Sequence, residues 1–325
     1  MLSVNSYQPE KKATRESSRD FLTQKKKTKK GTKRTTKFNI KNDPRVIIRG
    51  VVYSLTTIVL VAIICFCAYN IIRWQAENDI ADEQIRDLQQ ETVITEIAEE
   101  PAETEPTETT QPVVQTIDTH KLLSNTDPYW ELVKIPLMDA DLSSARAKNA
   151  DVAGWIQVPG TNINYPFVKT DNNNYYLTHS LNRSWNSAGW VFLDYRNNSN
   201  LTDKNQILYA HGRIDGSMFG SLVNVLSANW QNNQSNHVVK ISNDTSDSLW
   251  QVFSVYKVPV TSDYLKVNFD SDAEFGQFIR MISDRSVYDF KTTVTYADKI
   301  ITLSTCVGLN DRAVLHAKLI KIAQK

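Results

Sequence analysis

The sequence predicts a mainly β domain of barrel or sandwich type, with helical insertions, carried behind one transmembrane helix. Three observations point there. From about Asp127 onward, short runs rich in β-branched and aromatic residues alternate with turns of Asn, Asp, Gly and Ser. Gly50 to Ile72, "GVVYSLTTIVLVAIICFCAYNII", holds no charged residue and is long enough to cross a bilayer as one helix. Composition also changes sign across that run, with Lys and Arg crowding before it and Glu, Asp, Thr and Pro after it. The 325 residues average a net charge of only +1, so the asymmetry carries the information and the mean names no partner.

Residues 1–49 read as a disordered basic tail centred on "KKKTKKGTKR". Such a tail favours cytoplasmic retention and attraction to anionic membrane lipids, and the lack of aromatic residues interleaved in its basic cluster argues against nucleic-acid binding. The apolar run at 50–72 exceeds the length of a signal-peptide core, and no small-residue cleavage pattern follows it. Positive charge on its N-terminal side places Met1 in the cytoplasm and the C-terminal part outside. Arg73 and Trp74 stand where interfacial anchors belong. Residues 73–126 then read as an acidic stalk, a short helical segment followed by the extended Pro/Thr/Glu-rich spacer "PAETEPTETTQP".

The folded domain is expected over 127–325. "DPYWELVKIPLMDADLSSARAKNADVAGW" reads as one or two helices entering a sheet. Strand runs follow: "GWIQVPGTNINYPFV", "GWVFLDY", "NQILYAH", "HVVKISN", "LWQVFSVYKV", "KIITLSTC" and "RAVLHAKLIKI". Two helical interruptions break them. "DGSMFGSLVNVLS" follows His211, and "DAEFGQFIRMISDRS" sets Phe275, Phe278, Ile279 and Ile282 on one helical face.

Cysteine usage narrows the chemistry. Of three cysteines, Cys65 and Cys67 fall within the apolar run, which leaves Cys306 alone outside and without an internal disulfide partner. Cys306 is then either a small buried filler or a working thiol. A cysteine enzyme also needs a proton carrier and an anion stabiliser. Among the five histidines, His120 borders the linker, His179 and His237 sit in polar loops, and His316 lies within a strand pattern that suits a structural role. His211 instead ends the strand "ILYA" and opens a Gly-containing turn, where a scaffold can present an imidazole to a cleft. On pattern alone Arg312 is a surface residue. Neither a paired-Cys metal motif, a closely spaced His pair nor a Gly-rich phosphate loop is present, and no metal or other cofactor is expected.

A strand-end His, later "TLSTC" closing a strand, then an Arg opening the next strand: this order resembles the sortases, membrane-anchored cysteine transpeptidases of Gram-positive bacteria. "NADVAGWIQVPGTNINYPFVKTDNNNYYL", "GWVFLDYRN", "DGSMFGSL" and "TSDYLKVNFDSDAEFGQFIRMISDRSVYDF" are similar to the class B branch, almost continuously from Asn149 to Leu319. The resemblance implies a closed barrel of about eight strands, with N-terminal helices and a long helical insertion between the sixth and seventh strands. It implies Cys306 as nucleophile, His211 as general acid and base, and Arg312 as oxyanion or substrate clamp, with Ser304 and Thr305 lining the site. The implied reaction cleaves a C-terminal sorting signal of a secreted protein through a thioacyl enzyme. An amine of a peptidoglycan precursor, or a pilin lysine, then takes the acyl group. Two other readings remain at this level. One is a tethered barrel that binds a peptide or wall polymer without chemistry. The other is a papain-like hydrolase, which the His-before-Cys order disfavours.

Overall fold

A computed structural model describes residues 44–97, 114–116, 126–307 and 310–325. The basic tail through residue 43, most of the Pro/Thr/Glu-rich spacer and His120 lie outside the described residues.

The first element is a 48-residue helix, α1 (Pro44–Glu91). Over 50–72 every side chain is exposed, and the segment is long and apolar enough to cross a membrane. The helix does not stop there. It runs on through the first part of the expected stalk, where Asn78, Ala81, Ile85 and Leu88 are buried. Their three- and four-residue spacing gives one face, and Ala81, Ile85 and Leu88 join the main core of the β domain. A short strand, β1 (Ile94–Ile97), follows. The segment 77–97 is therefore part of the folded domain, and β2 (Val114–Thr116) adds a further strand from the stalk region to the edge of the sheet.

The stretch read as one or two helices contains a strand. Helix α2 (Tyr129–Leu132) and helix α3 (Ser143–Lys148) flank β3 (Leu137–Ala140), which pairs antiparallel with β1. Pro136 explains the break, because a residue before proline is pushed out of helical geometry. Tyr129, Leu132 and Leu137 then pack against Val238, Leu249 and Ile320.

Eight strands form the barrel: β4 (Val152–Gln157), β5 (Asn164–Val168), β6 (Phe192–Leu193), β7 (Asn205–Ala210), β8 (Val238–Ser242), β9 (Ser246–Pro259), β10 (Ile300–Val307) and β11 (Asp311–Gln324). Around the ring the order is β10-β7-β6-β5-β4-β8-β9-β11, and an antiparallel β10–β11 ladder closes it. Closure leaves these eight strands no free edge and decides between barrel and sandwich. Most neighbours run antiparallel, whereas β10 with β7 and β5 with β6 run parallel.

Side chains alternate across each strand. Leu303 and Leu315 point into the main core with Trp155, Tyr165 and Phe167, whereas Ile300 and Val314 point outward. That outer layer is covered by α5 (Asp272–Asp284), between the sixth and seventh barrel strands as the resemblance implies. Ser271 caps α5 by accepting a bond from the Glu274 amide, and the Glu274 carboxylate accepts the Asp270 amide. Phe275, Phe278, Ile279 and Ile282 form its buried face. Each such side chain contributes about 1.5–3 kcal/mol on burial. "GSLVNVL" after His211 forms a 3-10 helix, Gly220–Leu226, and the short helix α4 (Ala228–Gln231) follows it.

Candidate active site

Strand register brings the candidate residues to one rim of the barrel. On the parallel β7–β10 ladder Ala210 pairs with Thr305, so His211 and Cys306 are the next residues on adjacent strands. On the antiparallel β10–β11 ladder Cys306 pairs with Arg312. His211, distant in sequence, thus becomes a neighbour of Cys306 and Arg312 across three adjoining strands.

A cavity of about 570 Å³ opens at this rim. His211, Ser304, Thr305 and Arg312 all line it. Its remaining wall comes from residues that sequence reasoning did not single out. Val260, Thr261, Ser262, Tyr264 and Leu265 follow β9, Asn173 and Leu177 come from the β5–β6 connection, and Phe192 and Tyr209 come from the barrel. Tyr264 and Leu265 precede α5 within "TSDYLKVNFD", where no polar motif or periodicity marks a site. Only the aromatic-apolar pair in a polar run offers a signal.

Hydrogen bonds fix the polar groups. The carbonyl of Leu177 lies 2.7 Å from His211 Nε2 and can only accept, so Nε2 carries the proton. Among the described residues Nδ1 has no hydrogen-bond partner, leaving that nitrogen to exchange protons with whatever enters the cavity. Thr305 Oγ1 donates to the Ala210 carbonyl at 2.9 Å and pins the two strand ends together. Ser304 Oγ and Tyr264 Oη share a buried bond of 2.9 Å. Arg312 Nη1 donates to the Asp311 carbonyl at 3.1 Å, while the Asp311 carboxylate pairs with Lys257 at 2.7 Å. The guanidinium beside the cavity is therefore not neutralised by its neighbouring carboxylate.

Asp194 braces two residues of the cavity wall, Tyr209 and Asn173. Its fully buried carboxylate accepts from Arg196 Nε at 2.8 Å, Arg196 Nη2 at 2.7 Å, Tyr209 Oη at 2.8 Å and Asn173 Nδ2 at 3.0 Å. Burial works against its charge, but the Arg196, Tyr209 and Asn173 bonds prevail and hold the carboxyl below its usual range. Tyr209 and Asn173 are thereby locked in place as cavity wall.

The other described histidines lie apart from this cavity. His316 is fully buried, with Tyr256 Oη 2.8 Å from Nε2 and Thr302 Oγ1 2.9 Å from Nδ1. Burial first, and the Arg285 charge second, push its pKa down to about 3. His237 is also buried, with Nε2 against the Gln231 carbonyl at 2.9 Å. His179 stacks on Tyr175, their ring centroids 4.0 Å apart.

Comparison with known proteins bears on the fold and the family. The sortase domain family model matches residues 156–320. Sortase B of Staphylococcus aureus is 32% identical over 179 residues, covering 54% of this chain and 72% of that protein. Sortase B of Listeria monocytogenes is 31% identical over 184 residues, covering 55% and 74%. Among solved structures, sortase B from B. anthracis in complex with AAEK1 superposes with a TM-score of 0.52 at 37% identity, covering 55% of this chain and 84% of that one. A Staphylococcus aureus sortase B–substrate complex does so with a TM-score of 0.52 at 32% identity, covering 55% and 84%. Closed barrel, matched segment and relatives agree: the chain belongs to the sortase family, in its class B branch, and is a cysteine transpeptidase.

Proposed function

We propose that Cys306 is the nucleophile of this transpeptidase, His211 its general acid and base, and Arg312 its oxyanion clamp. The observation that carries the reading is the register, Thr305 opposite Ala210 and Cys306 opposite Arg312, at a cavity that His211 and Arg312 line. The Cys306 thiolate attacks the threonyl carbonyl of a sorting signal, and charge builds on the carbonyl oxygen. Arg312, always cationic and not paired with the Asp311 carboxylate, suits fixed stabilisation of that charge. The C–N bond breaks as the His211 imidazolium gives its proton to the departing amine, leaving a thioacyl enzyme. An acceptor amine then attacks the thioester, His211 takes its proton, and the thiolate leaves. Ser304 and Thr305, the two residues before Cys306, line the cavity in which this chemistry would run.

The substrates in this reading are secreted proteins bearing a C-terminal sorting signal, and the acceptor is an amine of a cell-wall peptidoglycan precursor. A sortase B–substrate complex exists for the S. aureus relative, which supports a substrate-binding role for this fold. Residues 1–49 would lie in the cytoplasm, 50–72 in the lipid bilayer, and the barrel outside. The apolar run of α1, exposed all round, supports the span, and the basic residues before it support the orientation.

The test uses the full chain in detergent micelles with a labelled sorting-peptide library, with and without triglycine as acceptor. Triglycine-dependent ligation is expected, with loss of at least about 10³-fold in Cys306→Ala. Full turnover by Cys306→Ala would sink the assignment.

A further inference from the structure

Helix α1 touches two loops that meet at His211, and it does so with residues that a stalk would have no reason to place. The first loop follows Leu177, whose carbonyl fixes the His211 ring. Within it, Asn186 donates its backbone amide to the Thr178 carbonyl at 2.9 Å, so the loop returns to the residue beside Leu177. Asn186 Nδ2 also donates to the Glu77 carbonyl at 2.9 Å, and Ser187 donates to the Glu77 carboxylate. Arg73 lies over the Trp185 ring, 4.5 Å from its centroid.

The second loop follows His211 itself. Phe219 donates its amide to the His211 carbonyl at 3.0 Å, and Gly212 bridges to Met218. Arg213, two residues past His211, has a side chain only 7% exposed. Its guanidinium bonds to Asp215 at 3.0 Å and donates to the Asn78 side-chain oxygen. Asn78 is itself buried, adjacent to Glu77 on the helix.

We propose that Asn78 and Arg213 form a positioning pair, through which the helix leaving the apolar segment sets the His211 ring for proton transfer. Glu77 holds the loop that accepts from Nε2, and Asn78 holds the loop that starts at His211. One turn of α1 thus fixes both sides of the imidazole. Neither residue touches the cavity, so both act through His211. This rests on the acid–base reading of His211 above.

Full-length enzyme in micelles tests it, with sorting-peptide turnover measured across pH. Alanine favours helix more than asparagine does, so Asn78→Ala does not weaken α1 itself. Asn78→Ala and Arg213→Met are expected to lower kcat about 5- to 20-fold, roughly 1–2 kcal/mol, with KM within about two-fold and the limb of the pH–rate profile due to the imidazole displaced. Asn78→Asp keeps an acceptor for Arg213 and is expected to retain the parent kcat. Parent-like kcat and pH profile in Asn78→Ala would overturn the pair, as would an Asn78→Asp enzyme as slow as Asn78→Ala. His211→Ala separates the two claims. Turnover surviving there sinks the acid–base reading, whereas an inactive His211→Ala beside a parent-like Asn78→Ala sinks only the positioning pair.

Discussion

Strand β10 runs between β11, which carries His316, and β7, which ends one residue before His211, and the two histidines meet opposite fates. His316 on β11 pairs with Thr302, well inside the ladder, and both its ring nitrogens are hydrogen-bonded in a fully buried setting. His211 comes one residue past Ala210 at the end of β7, half-buried, with one nitrogen held and a cavity before it. The residue type is the same and the distance along the barrel is a few residues. What differs is water access and hydrogen-bond saturation. A ring with both nitrogens engaged and no solvent cannot accept a proton near neutral pH, and the displaced His316 pKa expresses that. A ring held at one nitrogen keeps the other for chemistry.

The largest expected effect breaks the comparison at its centre. His211→Ala should lower kcat by about 10²–10⁴-fold, the usual contribution of a general acid–base group, with little change in melting temperature. His316→Ala should do the reverse, costing about 2–4 kcal/mol of stability through a cavity and the loss of its bonds to Tyr256 and Thr302, with kcat per folded molecule little changed. Kinetics paired with urea unfolding checks both, and a folded but inactive His316→Ala would erase the distinction.

The next effect is in pH. The folded pKa of His316, about 3, lies below its ordinary 6.5, so between those values the unfolded chain binds a proton that the folded chain does not. Stability from this group is whole above pH 6.5 and is lost as pH falls toward 3, at a slope of up to about 1.4 kcal/mol per pH unit. His316→Gln, which can still bond Tyr256 and Thr302, should flatten the acid limb measured by urea unfolding at stepped pH. An unchanged slope would mean that other groups govern it.

The smallest effect concerns the cavity wall. Tyr264→Phe removes the hydroxyl bonded to Ser304, and about 0.5–1.5 kcal/mol is expected to go from stability or from sorting-peptide kcat/KM. Unaltered values in both assays would show that Ser304 needs no brace.

Much of this was legible along the chain because it is local. β-branched runs marked the barrel strands, spacing marked the buried face of α5, and the order of His211, Cys306 and Arg312 carried the family resemblance. Residues 77–97 were not legible as domain. The buried face Asn78, Ala81, Ile85 and Leu88 opens with an amide and an alanine, too weakly apolar to stand out beside so many acids. Tyr264 and Asp194 were equally silent, since each matters through a partner distant in sequence, Ser304 for one and Tyr209 for the other.

By itself, then, the sequence determined a charge-flanked apolar helix, a strand-rich domain and one cysteine outside that helix, all properties of composition and short-range pattern. Tertiary structure alone decided that β10 lies between β7 and β11 in a register that makes Ala210, Thr305, Cys306 and Arg312 neighbours. It alone decided that α1 grips the loops around His211. Ladder register and loop contacts depend on how distant segments fill one core, and no stretch of chain encodes that in isolation.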